Sequence, residues 1–119
     1  MRNTFQFNYI NLDYVEEVSN GDLAYEKDII ALFISIIPQS VSSLIKQFEL
    51  GSYQNVKKIL HHMHSSTGIM GLNDKLGKYM DAIVEEDLEN KAVRKNMQEI
   101  STVCLNAVEE AKNYLHTLE

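Results

Sequence analysis

The sequence predicts an all-α protein: an up-and-down four-helix bundle with a short extra helix at its N-terminal side. Three observations carry this. The 119 residues include one proline and five glycines, so few positions interrupt a helix. Apolar residues recur at steps of three and four along most of the chain, the period of an amphipathic helix. Short turn signals separate the stripes, which favours antiparallel neighbours.

Residues 1–10 form the exception. Phe5, Phe7 and Tyr9 alternate with polar neighbours, and the segment reads as an extended N-terminal arm. Residues 11–119 then read as one domain, a length that supports a single modest core. A first short helix spans about Asn11 to Ser19. Asn20-Gly21 makes a turn, and Asp22 is a good N-cap for a second helix reaching about Leu50. The stripe of that second helix is Ile29, Phe33, Ile36, Ile37, Val41, Leu44, Ile45 and Phe48, with Pro38 expected to kink or break it.

Gly51 closes the second helix and Ser52 caps the third. The third carries Val56, Ile59, Leu60, Met63, Thr67 and Met70 on one face and stops at Gly71. A fourth covers about Asn73 to Glu86, with Leu72, Leu76, Tyr79, Met80 and Ile83 inward. The fifth runs from about Asn90 to Leu118, with Val93, Met97, Ile100, Cys104, Ala107, Ala111, Tyr114 and Leu118 as its seam. That spacing resembles a coiled coil, but in so short a chain it marks the inner face of a bundle helix.

Charge and composition narrow the function. The net charge of −6 argues against nucleic-acid binding, which needs a basic face. The apolar run Ile29–Ile37 is interrupted by Ser35 and ended by Pro38; alone it is too short to span a bilayer. The N-terminus lacks the apolar core of a secretion signal, and the single cysteine, Cys104, fits a reducing compartment. The expectation is a cytoplasmic, monomeric protein that does not engage a membrane.

The informative stretch is Leu60-His61-His62-Met63-His64-Ser65-Ser66-Thr67-Gly68. At ~100° per residue, His61 points roughly 140–150° away from the face of Val56, Leu60, Met63 and Thr67. Lys57, Lys58, His64 and Ser65 stand three or four residues away, with Gly68 two turns on. An attacking imidazole needs open space, and a phosphoryl group held on it needs cations and hydrogen-bond donors. This patch supplies both.

The segment resembles the signature of the histidine-containing phosphotransfer (HPt) family of phosphorelay signalling. In that family the acceptor His is followed by Leu two residues on, then Lys and Gly, with a second Gly ten residues on and an apolar residue after it. With His61 as acceptor, Met63 stands for the Leu, Gly71 for the second Gly and Leu72 for the apolar residue, and Leu76 continues the pattern. Leu32-Phe33, Pro38 and the turn Asn20-Gly21-Asp22 also fall where HPt domains carry similar features. The likeness runs from about Leu12 to Leu118.

The resemblance implies a carrier that takes a phosphoryl group from an aspartyl phosphate of a receiver domain onto His61 and passes it to another. Its implied partners are response-regulator receivers and a hybrid histidine kinase. No cofactor of its own is implied, since the magnesium belongs to the receiver.

The chain departs from the family at two places: His64 replaces the Lys, and Ser65 replaces the first Gly. A second reading is therefore a degenerate module that binds receivers without carrying phosphate. Taking His64 as acceptor leaves Asp74 at the place of the second Gly, and taking His62 puts Leu72 there, so His61 fits best. His61 and His64 also have the spacing of a helical zinc pair, but a structural zinc site wants about four ligands. No Gly-rich phosphate loop suggests a nucleotide site.

Overall fold

The computed structural model describes residues 6–85 and 91–118. Five helices account for most of them: α1 (Asp13–Ser19), α2 (Leu23–Glu49), α3 (Tyr53–Ile69), α4 (Asn73–Glu85) and α5 (Lys91–Thr117). Among the described residues there is no strand. The expected ends of the fourth helix at Glu86 and the fifth at Asn90 lie outside the described residues, as does Phe5 of the arm.

Local signals act as the sequence implies at most turns. Asn20 adopts a left-handed conformation (φ 47°, ψ 46°) after α1, and Gly21 follows with φ 85°. The Asp22 carboxylate accepts a hydrogen bond from the Tyr25 N–H at 3.1 Å and caps α2. Gly51 and Gly71 both have φ near +70°. At each the chain leaves its helix through paired bonds: Ser52 N–H to the Gln47 carbonyl with Gly51 N–H to Phe48, and Leu72 N–H to Thr67 with Gly71 N–H to Gly68. This is the Schellman arrangement, which needs a residue free to take positive φ.

Three expectations are corrected. Pro38 does not break α2, which is continuous from Leu23 to Glu49. Proline removes one intrahelical hydrogen bond, but Ile37 and Val41 beside it are buried, and that packing keeps the helix intact. Ser52 makes no side-chain cap for α3. On α2, Ile36 and Ile45 are exposed and Ile30, absent from the predicted stripe, is fully buried. The inner line is Ile30, Phe33, Ile37, Val41 and Leu44, one residue per turn, so residues a single step aside fall on the flanks.

The core gathers Val15 of α1, that line of α2, Val56, Leu60 and Met63 of α3, Leu76, Met80 and Ile83 of α4, and most of the α5 seam. Helix α2 packs against α1, α3 and α5, and α4 packs against α3 and α5. The molecule is 47 Å long and about 20 Å across, at 21 × 19 Å, its length set by the two 27-residue helices α2 and α5.

Because α2 continues beyond Ile29–Ile37 on both sides, it is long and apolar enough, by length and composition, to cross a bilayer. Its inner line here packs on other helices. Residues 6–12 lie outside the helices, with Ile10 and Leu12 buried. The N–H groups of Asn8, Tyr9 and Ile10 all donate to the Glu110 carboxylate of α5. The Asn11 N–H donates to the Met70 carbonyl at 2.9 Å.

Candidate functional site

The middle of α3 presents its two faces as the sequence implies. Val56, Leu60, Met63 and Thr67 are buried, and His61, His62 and His64 are exposed. Lys57, Lys58 and Ser65 are exposed as well, while Gly68 is half-buried.

A cavity of about 210 Å³ opens between α3 and α4, lined by Lys57, Leu60, His61, His64, Met80 and Asp81. It brings together three residues singled out from sequence: Lys57, His61 and His64. Lys58, Ser65 and Gly68 do not line it. Leu60 and Met80 are buried and form an apolar floor beneath the polar groups.

Asp81 was not singled out from sequence. It lies on α4, twenty positions beyond His61, and only the packing of α4 on α3 brings the two to one cavity. The α4 wheel gave a partial signal, since Asp81 follows the inward Met80 and so sits beside the α3-facing side.

His62 belongs to a different surface. Its ring meets that of His61 edge-on, with centroids 6.1 Å apart and planes at 67°. It also lines a separate cavity of about 260 Å³ between α2 and α3, with Ile36, Gln39, Ser40, Ser43 and Ile59. Ile36 is 37% exposed and Leu32, one turn earlier, is 59% exposed. An apolar strip on α2 therefore reaches the histidines through Ile36 and His62.

Gly68 and Gly71 have structural reasons of their own. The Thr67 hydroxyl donates to the Asn73 side-chain oxygen at 2.8 Å, and the Asn73 amide donates to the His64 carbonyl at 3.4 Å. This small network ties the end of α3 to the start of α4. A Cβ on Gly68 would lie 2.8 Å from the Asn73 amide nitrogen. At Gly71 it would lie 2.6 Å from the Asn11 Cβ and 2.8 Å from the Asn11 carbonyl oxygen.

No family model, no curated protein and no solved structure matches this chain.

Elsewhere, among the described residues, no group of three or more His, Cys, Asp and Glu side chains is arranged to hold a metal ion. A groove of about 300 Å³ between α2 and α5 holds the Arg94 guanidinium over the Phe48 ring, 5.3 Å from its centroid, and none of the histidines. Cys104 is buried in the α5 seam. Burial pushes its thiol up to about 12, so it stays protonated and is a poor nucleophile.

Proposed function

We propose that this protein is a phosphorelay intermediate of the histidine-containing phosphotransfer kind. In this reading α2–α5 form an up-and-down four-helix bundle with α1 at one end. The ring of contacts α2–α3, α3–α4, α4–α5 and α5–α2 supports that arrangement. The observation that carries the functional reading is the exposed His61 at the edge of a cavity shared with Lys57 and His64.

The chemistry is a reversible displacement. A lone pair on the distal nitrogen of neutral His61 forms a bond to phosphorus as the oxygen–phosphorus bond of a receiver's aspartyl phosphate breaks. The receiver's carboxylate leaves with the electron pair, and the ring keeps the proton on its other nitrogen. The second transfer runs the same bonds backwards onto a different receiver. Lys57 provides positive charge and donors beside the phosphoryl oxygens, and His64 adds charge when protonated. Magnesium and the acidic pocket are the receiver's, so this chain contributes position and electrostatics, the main requirements of phosphoryl transfer. The apolar strip Leu32–Ile36, continuous with His62, offers a docking surface for the receiver. Receivers work in the cytoplasm, and this carrier would work there as a monomer between a hybrid histidine kinase and its regulators.

The test is incubation with a phosphorylated receiver and magnesium, followed by a search for acid-labile, base-stable label. His61→Gln is expected to abolish labelling, while His62→Gln and His64→Gln keep it. Full labelling of His61→Gln sinks the assignment. Receiver binding with no label on wild type points to the receiver-binding module that the His64 and Ser65 departures suggest.

A further inference from the structure

Asp81 lines the same cavity as His61, and the transfer chemistry above gives it no task. We propose that Asp81 sets the phosphoryl-transfer equilibrium: it opposes the phosphoryl group on His61 and biases this protein toward giving that group away. The inference rests on the reading of His61 as acceptor.

Among the described residues, the titratable side chains lining the cavity are Lys57, His61 and His64 of α3 and Asp81 of α4; Leu60 and Met80 are apolar. Lys58 and His62 are exposed on α3 but do not line the cavity. Among the lining residues, Asp81 is the acidic group that a phosphoryl group on His61 would meet in the cavity.

Neutral His61 is indifferent to Asp81 by comparison. Once the nitrogen–phosphorus bond forms, about two negative charges enter the cavity, and the carboxylate repels them. That repulsion acts on the phosphorylated state and raises its tendency to transfer. The exposed setting of Asp81 limits its size through solvent screening.

Phosphoramidate, which phosphorylates imidazoles without a partner protein, provides the test. Its phosphorus–nitrogen bond breaks as the bond to His61 forms, and ammonia leaves. At a fixed ratio of phosphoramidate to ammonium, the ratio of phosphorylated to free His61 is read by phosphorus NMR, with His61→Gln subtracting label on other histidines. Asp81→Asn is expected to raise that ratio roughly threefold to tenfold, and the rise should shrink at high salt. Asp81→Glu, which restores the charge, should stay near wild type. Glu109→Gln makes the same charge change on α5, at a side chain 68% exposed, and should have little effect. An unchanged ratio in Asp81→Asn, or an equal rise in Glu109→Gln, overturns the role of Asp81. If His61 takes label from phosphoramidate but never from a receiver, the carrier reading fails while the electrostatic result stands apart.

Discussion

Gly71 combines a positive φ of 71° with an immediate neighbour, the Asn11 backbone. Alanine there meets two penalties, left-handed strain and a clash with backbone that cannot rotate away. Gly71→Ala should cost about 2–4 kcal/mol in urea unfolding. Gly51 has nearly the same φ, 72°, but nothing lies within 4 Å of the place its Cβ would take, so Gly51→Ala should cost only about 1 kcal/mol. Equal losses at the two sites would mean that the contact with Asn11 is unimportant. The glycine that the phosphotransfer resemblance places ten residues after His61 thus has a role in chain geometry. Cys104 gives a second prediction at this scale. Its thiol is raised from 9.0 to about 12 by burial, so the folded state holds a proton that the unfolded state releases above pH 9. Its stabilising contribution is present below pH 9 and is lost as pH rises toward 12. Alkylation of the native thiol at pH 8 should be slow and should accelerate in urea; rapid modification of folded protein would contradict its burial.

Along α2 the inner line can be tested against its flank. Phe33 is buried, and Phe33→Ala should cost about 3–5 kcal/mol. Leu32 is its exposed neighbour, and Leu32→Ala should lie within about 0.5 kcal/mol of wild type in stability. If Leu32 docks a receiver, the same substitution weakens phosphotransfer while leaving the melting curve alone. Loss of stability without loss of transfer would reverse both assignments. At the junction of residues 6–12 with α5, Glu110 accepts from three successive backbone N–H groups, and the Asn106 amide donates to the Tyr9 hydroxyl at 3.1 Å. Phe7 adds a ring contact to Tyr114, with centroids 5.4 Å apart. Glu110→Gln should speed amide exchange at Asn8, Tyr9 and Ile10 well before it affects the helices.

For the whole molecule, the decisive arrangement is α4 lying against α3, which makes a charged cavity out of residues distant in sequence. Position 64 is where the phosphotransfer resemblance expects a permanent cation. His64→Lys fixes a positive charge in the cavity and should shift the transfer equilibrium toward phospho-His61, with a weaker pH dependence than wild type. Identical pH dependence in the two proteins would leave the electrostatic role to Lys57. The shift should be modest, because Lys57 already lines the same cavity.

The helical class, the Asp22 cap, the glycine stops and the inward faces of α3 and α4, apart from the half-buried Ile59 and Tyr79, follow from the chain itself. They rest on local chemistry: a side chain three residues from an N–H, a backbone free to take positive φ, and apolar residues returning with the helical period. The exposure of His61 was legible for the same reason, since a helical wheel fixes its direction away from Leu60 and Met63. Other features depend on which helices meet. The sequence pattern allowed Ile29 and Ile36 inside α2 in place of Ile30, because several faces of so apolar a helix satisfy the same spacing. It marked Pro38 as a kink or break, and the helix is not broken there, because propensity omits the packing of Ile37 and Val41. It passed over Asp81 and the Glu110 junction, because each acts on groups twenty to a hundred positions away. Spacing along one helix determines directions around its own axis; only packing between helices decides which side chains share a cavity.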